Sequence, residues 1–256
     1  MRDTIRQLTV LVSAVIAIVG SFIGSGAAGG VPITKAAGGA LAADATTIAP
    51  GGPAFAIWSV IYTGLIAYAV WQLFPRQRTA PRQRALGYPV ALSLVLNAAW
   101  ILSIQFGLLA LSVPVIAALL AVLVWCFFIG LRTRPVGRLD ALLTDGTIGL
   151  YLGWVAIATA ANVTAFLVAA GFRGGGIPRD VWSVVIIAVA GAVGVLLAIR
   201  GRGRIAPALS LGWGLAWVAV ARLTGDLISA PTAIAAIIAV VAVLASTVGI
   251  RLRTRS

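Results

Sequence analysis

Histidine and glutamate are absent from the 256-residue chain, lysine and cysteine occur once each, at Lys35 and Cys126, and the acidic residues number only six. Without imidazole, histidine-ligated metal or haem sites and histidine-based acid–base catalysis are excluded. A single cysteine allows no intrachain disulfide, and Cys126 stands in an apolar run where a small core residue is the default. Lys35 lies in a stretch of Gly and Ala rather than in a hydrophobic segment, so a retinal-type Schiff base has no intramembrane amine to form on. Charged residues make up 10% and hydrophobic ones 61%, with a mean hydropathy of +1.08. Too few polar side chains remain to cover a water-facing surface, and a bilayer has to solvate most of the chain.

What stands in place of acids is arginine. A formal charge of +13 would suggest nucleic acid in a soluble protein, but the arginines form short clusters between apolar runs and no basic-aromatic groove is visible. Membrane lipid is the expected partner and nucleic acid is not. Apolar runs long enough to cross about 30 Å of hydrocarbon at about 1.5 Å per residue occur eight times, roughly at 8–25, 53–74, 87–109, 112–131, 142–169, 181–199, 205–223 and 232–250. The expected fold class is all-α, a polytopic transmembrane helix bundle of about eight spans with both termini cytoplasmic. In that orientation only Lys35, Arg173, Arg179 and Arg222 of the 19 basic residues face outward, which satisfies the positive-inside rule. The expected location is the bacterial inner membrane, crossed many times.

Arg2 and Arg6 precede an apolar stretch that ends in Ser25, Gly26 and Ala27, the layout of a signal peptide. The stretch from Leu8 to Ile23 is longer than a typical signal core, and a retained helix is expected. Between the first two spans runs the longest loop, 26–52, rich in Gly and Ala and leading into Pro50, Gly51, Gly52 and Pro53. A loop of this length in a bundle is a lid or binding element, or else an unstructured linker.

In hydrocarbon a Leu costs nothing and an Asn is expensive, so polar residues that share a helix face are the informative ones. Phe55, Trp58 and Tyr62 form one stripe of the second span. Ser93, Asn97 and Trp100 do the same in the third, and Tyr151, Trp154, Ala158 and Asn162 in the fifth, within about 60° of one another on a helical wheel. Trp71, Trp125 and Trp182, near span ends, read as interfacial belt residues, whereas Trp100 and Trp154 sit too deep for that. Asn97 and Asn162 read equally as interhelical glue and as ligand contacts. The last three spans are rich in small and branched residues. Ala190 and Gly194 form a small-xxx-small pair, Trp213 and Trp217 share a face without an assigned role, and Arg222 and Asp226 are spaced as an i, i+4 ion pair. Asp145 is expected to pair with Arg134 or Arg138.

At these residues the chain resembles the TspO family, the tryptophan-rich sensory proteins also called translocator protein or peripheral-type benzodiazepine receptor. The family's second-helix signature is matched by Pro50 through Tyr62, its third-helix L-N-x-x-W by Leu96, Asn97 and Trp100, and its fifth-helix Y-L-x-W-V-x-x-A-T-x-x-N by Tyr151, Leu152, Trp154, Val155, Ala158, Thr159 and Asn162. The resemblance covers residues 1–172, a five-helix unit with the long outer loop 26–52, and leaves 173–256 as an additional three-helix transmembrane extension. Phe55 precedes Trp58 by three positions rather than four, Leu150 replaces a proline, and the residues after Asn162 lack the tyrosine and basic residue of the family's sterol pattern.

The resemblance implies a membrane protein that binds hydrophobic small molecules in an intramembrane aromatic pocket. Tetrapyrroles of the porphyrin or haem type come first, for sensing, regulation or transport. It implies Phe55, Trp58, Tyr62, Asn97, Trp100, Tyr151, Trp154, Ala158 and Asn162 as ligand-binding residues, no required cofactor, no metal, and a homodimer formed through small-residue faces. The alternative class is a secondary transporter of another small molecule that uses Asp145 or Asp226. Catalysis is not expected from so few acids and no imidazole; porphyrin degradation, suggested for relatives, is the one activity left open.

Overall fold

The computed structural model describes residues 1–254, and the regular elements among them are all helical. Among the described residues eight helices are long and apolar enough to cross a membrane, as the hydropathy pattern requires. They are α1 (Arg2–Gly24), α2 (Ile57–Trp71), α3 (Pro81–Gln105) and α4 (Leu109–Arg132). There follow α5 (Thr147–Ala169), α6 (Arg179–Arg200), α7 (Ile205–Thr224) and α8 (Ala230–Arg253). A 3-10 turn at Gly52–Ala56 leads into α2, and a π-helical stretch at Ala141–Gly146 joins Arg138–Asp140 to α5.

The helix ends follow local chemistry. Pro81 opens α3 at a position whose amide would have no partner in any case. Ser229 caps α8, its hydroxyl accepting from the Thr232 amide at 3.4 Å. Most of the outward-facing residues are apolar, Val12, Val189, Ile238 and Val241 among them, as lipid contact demands.

The first five helices close a ring in the order α1, α2, α5, α4, α3, with α3 packed along α1. Helix α7 lies against the outside of α5, and α8 packs on both α7 and α6. The approach of α5 to α7 depends on Gly153, because a Cβ there would overlap the Pro207 carbonyl and the Ser210 hydroxyl. The small residue Gly194 is likewise used within the chain, since its Cβ would stand 2.5 Å from Leu211 and Val243. As a result α7 is as enclosed as α3, although it belongs to the C-terminal part.

At one pole the helix ends are tied by arginines. Arg82 and Arg204 both reach Asp145 Oδ1, at 2.5 and 2.9 Å. Arg204 also donates to the Gly130 carbonyl at 2.6 Å, and Arg6 donates to the Gln83 and Arg78 carbonyls at 2.9 and 3.0 Å. Asp145 therefore does not pair with Arg134 or Arg138. Its side chain turns inward from the π-helical stretch, toward the starts of α3 and α7, where burial makes a counter-charge obligatory. Trp125 and Trp182 are exposed, as a belt residue must be, but Trp71 is not a belt residue, being buried against Tyr68 with ring centroids 6.4 Å apart.

Candidate functional site

The three stripes face the interior of the ring and meet there. Trp58 is the hub. Its indole stacks on Tyr62 at 5.3 Å and on Trp100 at 6.4 Å, and takes Tyr151 and Trp154 edge-on at 5.9 and 6.2 Å. These separations lie in the attractive range for offset and T-shaped rings. Phe55 reaches Trp154 edge-on at 5.8 Å from the 3-10 turn rather than from α2 itself.

Hydrogen bonds fix the rings. Asn97 donates to the Tyr62 hydroxyl at 2.5 Å, and Tyr151 donates to the Ser93 carbonyl at 3.2 Å. The Trp100 indole donates to Asn162 Oδ1 at 3.0 Å, while Asn162 Nδ2 donates to Ser112 Oγ at 2.9 Å. Asn162 thus links α3, α4 and α5, as the interhelical reading expects, and it also stands in the cavity wall. Ser112, which sequence reasoning missed, had one available signal: a lone hydroxyl in the first turn of an apolar helix. Three buried polar atoms keep no partner: Trp58 Nε1, Trp154 Nε1 and Asn97 Oδ1. Buried polar atoms are satisfied as a rule, so three orphans in one cluster call for an explanation.

Beside the cluster is a cleft of about 510 Å³, counted out to its mouth. Trp100, Trp154, Ala158 and Asn162 form its wall, and Leu41, Ala49 and Pro50 of the long loop roof it. The space free for a water-sized sphere is only about 30 Å³, so the cleft is nearly shut. Trp58, Tyr62 and Tyr151 support the wall from behind rather than line the cleft, with the Trp58 indole stacked against both Tyr62 and Trp100. Neither Asp145 nor the exposed Asp226 lines it. Among the described residues no three Cys or Asp side chains gather as a metal site would require.

The roof is held from α6 and α7. Trp213 donates from its indole to the Ala54 carbonyl at 2.9 Å, and the Gly51 amide donates to the Trp217 carbonyl at 3.2 Å. The buried Arg222 donates to the Thr46 carbonyl at 3.0 Å and to that of Ala43, and the Thr47 and Ser183 hydroxyls bond to each other. Arg222 makes no ion pair with Asp226, because α7 ends at Thr224 and an extended Gly225 carries Asp226 out of the i, i+4 position. The loop is therefore an ordered lid and not an unstructured linker.

Among curated proteins no match to the chain is found, and the same holds for solved structures. The family model described as TSPO-like protein matches residues 10–248, from α1 through nearly all of α8. With an aromatic cluster inside a ring of membrane helices and a family match that includes α6 and α7, the two helices bracing its lid, the chain belongs to the TSPO-like protein family and is an integral, multi-pass membrane protein.

Proposed function

We propose that the protein binds flat hydrophobic molecules in the roofed cleft, porphyrin-type tetrapyrroles first among them, for sensing, regulation or passage across the bacterial inner membrane. The observation that carries this reading is the indole of Trp154, which forms part of the cleft wall while its buried N–H lacks a partner. A ligand with a hydrogen-bond acceptor in an otherwise apolar body would satisfy that donor and gain aromatic contact. Because Trp58 is stacked against other rings and does not line the cleft, it acts as the backing of Trp154 and Trp100, and the ligand meets Trp154, Ala158 and Phe55. A cleft this narrow admits a macrocycle only when the lid lifts.

Binding rather than catalysis is the proposed activity, since the polar side chains at the cleft are Thr46 and Asn162, neither with an activating base. Gradient-driven transport through Asp145 has less support, because two guanidiniums already neutralise that carboxylate. A homodimer would need a face other than Gly194, which is used within the chain.

The test is titration of the purified protein with protoporphyrin while tryptophan emission is read. Saturable quenching is expected, with affinity weakened about tenfold, equivalent to about 1.4 kcal/mol, in a Trp58→Phe, Trp154→Phe double variant whose helical circular dichroism is intact. Non-saturable quenching in the parent, or equal affinity in the folded variant, would count against the site.

A further inference from the structure

A second cavity adjoins the cleft on the side away from the arginine pole. It is an open hollow of about 830 Å³, counted out through its solvent-facing mouth, bounded by the loop from Ala37 to Thr46 and by Ala165, Val168 and Ala169 at the end of α5. Its lining side chains are Ala, Gly and Val apart from Thr46 and the exposed Asp44, and loop backbone adds polar surface on one side, leaving the α5 side apolar. Ala40 and Thr46 belong to both cavities, so the segment that carries them is the partition between the two spaces.

That segment begins at a left-handed glycine turn and is fastened at its other end. Ala37, Gly38 and Gly39 follow one another at φ 51°, 68° and 78°, a left-handed run in which a Cβ on Gly38 would meet nothing within 4 Å. At the far end Ile48 and Ala49 are anchored by burial. Between these points the fastening is polar. Arg222 donates to the carbonyls of Ala43 and Thr46, and the Thr47 hydroxyl meets that of Ser183. Bonds of this kind exchange for water at small net cost, unlike apolar burial. Among the described residues no carboxylate stands within ion-pair distance of Arg222, although the charge of Asp44 on the same segment attracts it from farther off, and its Nε is buried without a hydrogen-bond partner.

We propose that the outer cavity is an access vestibule for flat apolar molecules, and that the segment from Ala40 to Thr46 is its inner door, hinged at Gly38 and Gly39 and latched by Arg222. The role as ligand access rests on the cleft being the binding site, but the latch is tested without any ligand. In a Cys126→Ala background, Ala49→Cys places a thiol on the cleft wall at a position 4% exposed in the parent. Its labelling by a water-soluble maleimide reports how often the door opens.

Arg222→Gln is expected to raise that rate about tenfold or more, with Thr47→Val raising it less. Ala169→Trp, which fills the vestibule, is expected to lower it. Ala236→Cys in the buried face of α8 serves as the control for general loosening and is expected to stay unlabelled. An unchanged rate in Arg222→Gln, or equal acceleration at Ala49→Cys and Ala236→Cys, overturns the latch. An unchanged rate in Ala169→Trp overturns the vestibule. Should Arg222→Gln fail to fold, Thr47→Val decides alone, acceleration supporting the latch and an unchanged rate overturning it. Failure here leaves the porphyrin titration standing, and a failed titration leaves the door intact.

Discussion

Arg82 and Arg204, from the starts of α3 and α7, meet on one oxygen of Asp145, at 2.5 and 2.9 Å. The shared oxygen joins the five-helix ring to the helix that braces its lid. Asp145→Asn would leave both guanidiniums at this pole without their common anion, Arg82 at 5% side-chain exposure. The expected loss is about 1–3 kcal/mol, below that of a stranded buried charge because Arg82 keeps Asp140 at 3.6 Å and Arg204 is partly solvated. It should appear as a lower melting temperature, while the folded fraction keeps the parent's ligand affinity because the cleft is elsewhere. An unchanged melt would mean that the triad is idle.

Gly153 and Gly212 make a paired test of the helix contacts. Gly153→Ala drives a methyl into the Pro207 carbonyl and the Ser210 hydroxyl, whereas a Cβ on Gly212 meets only Leu244, at 3.9 Å. Backbone cannot yield as a side-chain tip does, so Gly153→Ala should cost about 3 kcal/mol or more, at or above the top of the usual overpacking range. Gly212→Ala should be neutral or slightly stabilising, since alanine is the better helix former. Equal melting temperatures for the two variants would refute the close α5–α7 approach.

Asn162→Ala removes the acceptor for the Trp100 indole and the donor to Ser112 at once. A stranded buried donor costs about 1–3 kcal/mol. The variant should melt earlier and also lose porphyrin affinity, because Trp100 is no longer held in the cleft wall. Loss of stability with unaltered affinity would reduce Asn162 to interhelical glue alone.

The Asp3–Arg84 pair offers the opposite case. Its geometry is bidentate, with Arg84 Nε and NH2 at 2.8 and 2.6 Å from the two carboxylate oxygens. Arg84 is half exposed, however, and water competes for both partners. Asp3→Asn is expected to leave the thermal melt unchanged at physiological salt. A clear drop would show that this end of α1 is less solvated than its exposure suggests.

Spans and stripes were legible because each is local. Hydrophobic runs and i, i+3, i+7 spacings are set by the chain's own geometry, and lipid makes every misplaced Asn or Trp costly. Partners that lie far away in sequence left no such trace. Trp213 and Arg222 bond to backbone carbonyls of Ala54, Ala43 and Thr46, more than 150 positions earlier, and every residue has a carbonyl, so nothing in the composition marks these as acceptors. The Asp145 error is of the same type. Arg134 and Arg138 were the near arginines in sequence, but the near ones in space came from two other helices. Trp71 looked interfacial by its place at a span end, while Tyr68, one turn away, covers it.

The hydrogen bond from the Gly51 amide to the Trp217 carbonyl ties the roof's hem to a helix that supplies none of the cleft's wall. On the proposed reading of the cleft, recognition and residence time are thereby written on different parts of the polypeptide. Substitutions along α7 are then expected to lengthen or shorten the stay of a guest without changing which guests are admitted, the aromatic residues being left alone.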